Sequence, residues 1–414
     1  MVIFSILFNF VRSFYFSNDV IPVKIIKYNQ NYFLFGIVNN NSFVMKLNPF
    51  KTNVWNRVIH NVSISDAFIR NDTIFILSYF PFFSIVKITT NGDFLSSITY
   101  DTYDNTNYNV FSDIFGNIYI STFSHIMKLD RKLKLQWIKE YSLIDICNGT
   151  GDFFLLCRYN FSHLAILKIN LDGEVLKAKS YGLYSTTNPI KIIRRNDKLY
   201  IFSQYVDIST RYYIFISAID TSLNSVFWSK VYKPRDNVDL YVSDVKEVGS
   251  NFIVLGSHFN DIFYFSIDTL GNLIFSKKSN NPSLEKHPKI SENTIYYYNH
   301  DSLSVFDINI VDGSSCLNDM DFIIDVYNVV PRPLLGISIN YTNKAWEMVN
   351  YQISGNSFLT SENTYCKVSI DETINKPIFN SITYNIAGRN CTYKSSGIYI
   401  LKTGRGYKKV IKRR

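Results

Sequence analysis

Ile126-Met127-Lys128-Leu129-Asp130 is one copy of a five-residue phrase that recurs along this chain. Close copies read Val44-Met45-Lys46-Leu47-Asn48, Ile85-Val86-Lys87-Ile88-Thr89 and Ile166-Leu167-Lys168-Ile169-Asn170, and weaker ones end at Asp220, Asp268 and Asp307. The first steps are 41, 41 and 40 residues, and the series averages roughly 43. A fixed period in the forties, filled with short alternating strands, is the sequence form of a β-propeller with one four-stranded blade per repeat. The expected fold class is all-β: a propeller of seven four-stranded blades, with six or eight as alternatives, plus a small C-terminal β domain.

Each unit has one grammar. A first strand leads through a polar turn to a strongly apolar second strand. A third strand ends in the Lys-Leu-Asp phrase, a Gly or Asn turn follows, and an outer amphipathic strand closes the unit. Second strands such as Phe153-Phe154-Leu155-Leu156 and Phe252-Ile253-Val254-Leu255 are apolar on both faces, as a sheet sandwiched between two others requires. Fourth strands such as Gln136-Trp137-Ile138-Lys139-Glu140-Tyr141 alternate, so they belong at a wet rim. The Asx residue ending the third strand is expected to accept N–H bonds from the turn after it. The turns Asn91-Gly92, Asp172-Gly173 and Leu270-Gly271-Asn272 carry residues that tolerate positive φ. Counting gives blades over roughly 23–61, 62–101, 102–142, 143–182, 183–234, 235–281 and a degenerate 282–312, which a strand from the N-terminus or from residues 317–350 would complete.

The 414 residues include 33 Phe, 30 Tyr and 4 Trp, a composition suited to pleated, half-buried surfaces. Net charge is +9, but seven basic side chains fall in the last thirteen residues, leaving +2 for the body. No basic stripe runs through the repeats, which argues against a nucleic-acid-binding surface. Nothing after the N-terminus approaches the run of about 18 apolar residues that spans a bilayer. Residues 1–17 read either as a signal peptide ending near Ser17 or as an apolar strand packed on the propeller. Residues 18–315 form the propeller, 316–366 supply closing strands or a linker, and 367–414 form the C-terminal β domain. The five cysteines show no metal-ligand spacing; Cys147 with Cys157, or Cys316 with Cys366, would bridge in an oxidising compartment, and free buried thiols are the alternative.

From Ile378 the pattern changes. Ser381-Ile382-Thr383-Tyr384-Asn385-Ile386-Ala387-Gly388-Arg389 is followed by Ser396-Gly397-Ile398-Tyr399-Ile400-Leu401-Lys402 and then by Lys408-Lys409-Val410-Ile411-Lys412. This resembles the C-terminal sorting domain of type IX secretion cargo, in which a Tyr-Asn/Asp-x-x-Gly-Arg strand, a Ser-Gly-Ile-Tyr strand and a Lys-Lys-Val-Ile-Lys end follow in that order. The family domain is usually longer, with an Asn-Pro element ahead of its first strands that is not recognisable here. The resemblance implies export to the outer surface or release, contact with secretion machinery, and sorting roles for Gly388, Arg389, Gly397, Tyr399 and Lys409. The blades also resemble delta-repeat and quinoprotein-like propellers in their Lys-Leu-Asp-x-x-Gly-x-x-x-Trp-x-Lys signature, without their catalytic residues.

The chain has no Gly-x-Ser-x-Gly, His-Glu-x-x-His, phosphate-binding Gly-rich loop or Cys-x-x-Cys. No cofactor or metal is expected. His125, His163 and His258 sit near the bend between second and third strands and read as rim residues. Trp55, Trp137 and Trp228, on outer strands, are expected to pack blade to blade. Asp113, Asp145 and Asp244 fall on first strands, where they would line a central channel; with Asp66 they are also the carboxylates available to an enzyme. The leading reading is a secreted or surface-displayed, non-catalytic, monomeric propeller that binds a protein or glycan. Its alternatives are an extracellular hydrolase or lyase acting on polysaccharide through those carboxylates, and an intracellular scaffold.

Overall fold

In a computed structural model of the chain, the described residues are 9–15 and 20–368 apart from connecting segments, the longest being 101–108, 182–186, 280–287 and 337–347. Beyond 368 they are the strands Ile382–Asn385, Gly397–Thr403 and Gly406–Lys412. Seven antiparallel sheets follow one another as blades of a β-propeller. Blades 1 to 6 are each four consecutive strands, opening with Val20–Tyr28, Ser63–Arg70, Asn109–Ser112, Leu143–Asn148, Thr187–Arg195 and Tyr241–Val248. Blade 7 takes Lys289–Ser291, Thr294–Asn299 and Ser302–Asp307 from the end of the repeats. Its fourth strand is Asn9–Tyr15, from the other end of the chain.

Second and third strands form the apolar interior. Phe153, Phe154, Leu155 and Leu156 are buried, as are Phe252 to Leu255, because each faces a neighbouring blade on either side. The core is therefore a set of clusters lying between adjacent blades: Tyr200, Phe202 and Ile216 of blade 5 pack with Val245, Phe252 and Val254 of blade 6.

The turn after each third strand is fastened as expected. Asp130 Oδ1 accepts the N–H groups of Lys132 and Lys134, and Asn48, Asn170 and Asp268 repeat the pattern. In blade 7 the residue in this role is Asn309, which accepts the N–H of Val311. Asp307 sits two positions earlier, level with Lys46 and Lys128, and accepts from Thr294 and Lys51. A slip of two keeps a side chain on the same face of a strand, so the repeat assignment survives it.

After blade 7 the chain turns back along the outside of the ring. Asp319–Asp321 adds a fifth strand to blade 6, Ile324–Asn328 to blade 5, Leu335–Gly336 to blade 4, Met348–Val349 to blade 2 and Ser354–Asn356 to blade 1. Ser361–Val368 then pairs with Asn9–Tyr15 in blade 7, and Ile382–Asn385 pairs with Ser361–Val368. This belt covers strand edges that would otherwise offer unpaired backbone groups to other chains. Phe322 and Ile324 anchor it in the apolar cluster between blades 5 and 6, and ion pairs Arg235–Asp325 and Lys277–Asp321 hold it at 2.8 and 2.6 Å.

Cys147 and Cys157 are free thiols. They occupy paired strands but not paired positions, since Cys147 faces Phe154 and Cys157 faces Leu143, and that offset rules out a bond between them. Cys316 lies outside the described residues. No helix among the described residues is long and apolar enough to cross a membrane.

Candidate functional site

The innermost strands meet at the channel, and their geometry is set by a bulge. In blades 1, 2, 4, 5 and 6 the pairing to the second strand skips one residue, just before Lys24, Asp66, Asp145, Lys191 and Asp244. A bulge on a strand with a free inner edge bends the chain and re-aims the side chain after it. Pro22 and Pro189 stand at the start of two of the bulges, on an edge strand, where proline is tolerated. Pairing to the second strands puts Asn109 and Lys289 at the same level in blades 3 and 7. Around the ring the position reads Lys24, Asp66, Asn109, Asp145, Lys191, Asp244, Lys289. Carboxylates occupy the even blades and cationic or amide residues the odd ones.

Each of these aspartates fastens its blade to the next. Asp66 Oδ2 accepts the N–H of Val110 at 2.8 Å, Asp145 Oδ2 that of Ile192 at 2.8 Å, and Asp244 Oδ2 that of Ile290 at 3.1 Å. The other oxygen of Asp66 and of Asp244 accepts the N–H of the residue that follows, Ala67 or Val245. Ion pairs add to this: Lys24 Nζ lies 2.5 Å from Asp66 and Lys191 Nζ 3.3 Å from Asp145. Burial pushes the Asp145 carboxyl up from its ordinary range, against the pull of Lys191 and of two backbone N–H groups. Lys191 is held above its own ordinary value, chiefly by the charge of Asp145.

Asp113 lies elsewhere. It is four residues beyond the ring position of its strand and closes a turn, accepting from the backbone and side chain of Asn117 at 2.8 Å and from the Tyr119 hydroxyl at 3.3 Å. Of the four first-strand carboxylates, the structure thus places Asp66, Asp145 and Asp244 at one level and sets Asp113 apart. Lys24, Lys191 and Lys289 become legible as their counterparts only when the innermost strands are aligned by their pairing to the second strands.

The bend histidines His125, His163 and His258 belong to blades 3, 4 and 6, and among the described residues no three His, Cys, Asp or Glu side chains are grouped to hold a metal. Trp55, Trp137 and Trp228 are interblade residues. Trp55 donates to Thr90 O and Trp228 to Thr269 O, and the rings of Trp55, Trp137 and Trp228 lie against Gly92, Gly173 and Gly271 of the following blade. Tyrosines reinforce the same junctions: Tyr100, Tyr141 and Tyr232 donate to carbonyls of Leu133, Gly173 and Gly271.

A second bulge, absent from the sequence expectations, recurs at the start of the outer strand of blades 1 to 6. Its extra residue is Val54, Leu95, Gln136, Leu176, Phe227 or Ile274. The five apolar ones are between 43% and 57% exposed. They form a collar on the face that carries the turns between third and fourth strands.

Of the sorting-type residues, Gly397 and Tyr399 lie on the strand Gly397–Thr403 and Lys409 on its partner Gly406–Lys412, with Tyr399 paired to Val410 and Ile400 to Lys409. Gly388 and Arg389 lie outside the described residues.

No protein-family model and no curated protein matches the chain. Among solved structures it is similar to the Neurospora crassa Pan2 WD40 domain, at 12% identity over 72% of this chain and 92% of that one, with a TM-score of 0.49. It is also similar to Kluyveromyces lactis Hsv2, at 10% identity over 76% of this chain and 99% of that one, with a TM-score of 0.48. Neither likeness carries an argument about function, and the assignment as a seven-bladed propeller rests on the strand pairing.

Proposed function

We propose that this chain is a non-catalytic interaction propeller, exported to the cell surface or released, whose partner is a protein docked on the turn face of the ring. The observation that carries this reading is the use of the channel carboxylates. A polysaccharide hydrolase needs two carboxyl groups free to act as acid and base or nucleophile across a cleft. Here Asp66, Asp145 and Asp244 spend their oxygens on backbone N–H groups at blade junctions, and Asp66 and Asp145 on lysines as well. The apolar collar supports a protein over a glycan, because repeated exposed apolar side chains on one face, four of the five aliphatic, match a partner's apolar surface better than a sugar's hydroxyls.

Export rests on the resemblance of the segments ending at Arg389, Lys402 and Lys412 to a sorting domain, with the hairpin Gly397–Lys412 as the delivery element. That reading carries a constraint: Asn9–Tyr15 is the fourth strand of blade 7, so it has to remain in the exported chain.

The test combines three readouts on the intact chain. Purified protein is probed for retention of surface proteins and for sugar released from a polysaccharide panel, and cells are probed for surface accessibility with and without residues 378–414. Retention that Leu176→Glu with Phe227→Glu abolishes, no sugar release, and surface display lost on truncation are expected. Sugar release abolished by Asp145→Asn would overturn the binding reading, and display unaffected by truncation would overturn the export signal.

A further inference from the structure

The turn after each third strand offers one side chain at its tip, and the repeat allows the seven tips to be compared. In six blades that residue stands two positions after the anchor and gives its N–H to the anchor's side-chain oxygen. In blade 5 it is Ser222, two positions after Asp220 and bonded to it. Blades 2 to 5 have polar tips: Asn91, Lys132, Asp172 and Ser222. Blades 6, 7 and 1 have Leu270, Val311 and Phe50, between 58% and 74% exposed. The apolar tips are therefore consecutive around the ring and straddle its closure.

The turns that carry them touch. Blade 7's turn packs on blade 6, with Gly313 against the Phe275 ring and its carbonyl accepting the Tyr264 hydroxyl at 2.9 Å. Phe275 directly follows Ile274, the collar residue of blade 6. On the other side Lys51, next to Phe50, reaches Asp307 of blade 7 at 2.5 Å. Ile310 and the collar residues Ile274 and Val54 add to the exposed apolar area of this sector.

Its charge is one-sided as well. Among the described residues on this face of blades 6, 7 and 1, the exposed charged side chains are Glu247, Glu292 and Asp312. The lysines are drawn inward: Lys51 is buried against Asp307, Lys27 pairs with Glu292, and Lys46 donates to the Thr90 carbonyl. Exposed cations gather across the ring, at Arg131, Lys132 and Lys134 of blade 3. An apolar cluster bordered by one sign of charge matches a surface that joins apolar groups to the opposite charge.

We propose that the sector over blades 6, 7 and 1 anchors the docked protein, and that the partner presents an apolar element rich in lysine or arginine to it. The inference rests on the reading of the turn face as a docking surface, and adds where on that face the partner is held and by what chemistry. Burial of Leu270, Val311 and Phe50 supplies the affinity. The acidic border selects against acidic partners.

Two synthetic amphipathic peptides serve as probes, one of leucine and lysine, the other with glutamate in place of lysine. Each is titrated into the full chain by fluorescence anisotropy. The lysine peptide is expected to bind, less tightly as salt rises, and the glutamate peptide about tenfold more weakly or worse. Leu270→Ser, Val311→Ser and Phe50→Ser are each expected to weaken the lysine peptide by about tenfold, the effect of withdrawing one large apolar side chain from a contact. Asn91→Ser and Lys132→Ser, at the same turn position in blades 2 and 3, should not weaken it. All five residues are exposed, so these variants should melt with the parent.

The sector and the docking face can fail separately. Binding that Leu176→Glu with Phe227→Glu abolishes, but that none of the three tip variants weakens, overturns the sector and leaves docking on the face standing. Equal affinity for the two peptides overturns the charge preference. No binding of either peptide overturns the inference, even if surface proteins are retained. A concentration-dependent dimer that Val311→Asp dissolves would assign the sector to a second copy and overturn it too.

Discussion

Val11 pairs with Phe306 in an antiparallel ladder, and on its other side with Tyr365, so the strand Asn9–Tyr15 stands between the last repeat and the returning belt. The ring is closed through this strand twice: once into blade 7 and once onto the chain that has travelled back around the outside. Phe14, on the same strand, is buried with Tyr296 and Val305 of blade 7 and Val20 and Ile25 of blade 1. Loss of the strand would open the ring and strand those apolar groups in water.

Deleting residues 1–17 is therefore expected to give a protein that aggregates or melts far below the parent. Phe14→Ala alone should cost about 3–5 kcal/mol in a denaturant titration, as for other fully buried aromatics. N-terminal sequencing of exported protein should find Asn9–Tyr15 still present. A mature chain beginning after Ser17 with unchanged stability would contradict the closure.

The blade junctions predict their own weak points. A Cβ at Gly271 would come within 2.8 Å of the Trp228 ring, and the residue holds φ +72, a conformation glycine tolerates best. Gly271→Ala is expected to destabilise by about 1–3 kcal/mol through overpacking and backbone strain. The change should also alter Trp228 fluorescence, and Trp228→Phe should restore part of the loss.

The repeat was readable in the sequence because third strands keep both their apolar alternation and the Asx residue that fastens the next turn. The belt was not. Its strands run from two to eight residues, and the shortest, Leu335–Gly336 and Met348–Val349, are too brief for a period to show. The channel was half legible: Asp145 and Asp244 stand out as first-strand carboxylates, but Asp113 looks the same in sequence. Only the pairing to the second strand distinguishes the ring position at Asn109 from a turn four residues further on. The collar shares this difficulty, since Val54 and Leu176 read as ordinary strand residues until the bulge turns them outward.

Alkaline pH should loosen the junctions in a defined window. Burial raises the Tyr100 and Tyr181 hydroxyls from 10.0 to about 12. Below pH 10 these groups are neutral in folded and unfolded chains, and their contribution is complete. From pH 10 to about 12 the unfolded chain ionises first, so stability falls as pH rises. Denaturation midpoints should decline over that interval, with tyrosinate absorption rising as unfolding proceeds. A flat midpoint up to pH 12 would contradict the assignment.

Burial also pushes the thiols of Cys147 and Cys157 above their ordinary range. Both should resist alkylation in the native protein and react on unfolding, because the thiolate is the reactive species. Reductant should leave the melting temperature unchanged if these two thiols alone are considered. Mass mapping that found them bonded to each other would require a different register between the first and second strands of blade 4.

The most direct measurement is the denaturation midpoint of Asp145→Ala, read beside its activity on polysaccharides and its partner retention. Asp145 joins the N–H of Ile192 and the ammonium of Lys191 across the junction of blades 4 and 5. Its removal leaves a buried donor and a cation without their acceptor, a loss of about 3–5 kcal/mol by the usual worth of a broken buried pair. The account predicts that destabilisation, with binding intact in the fraction that remains folded. A variant as stable as the parent that had lost a measurable hydrolytic activity would show Asp145 to be a catalytic group and not a fastening.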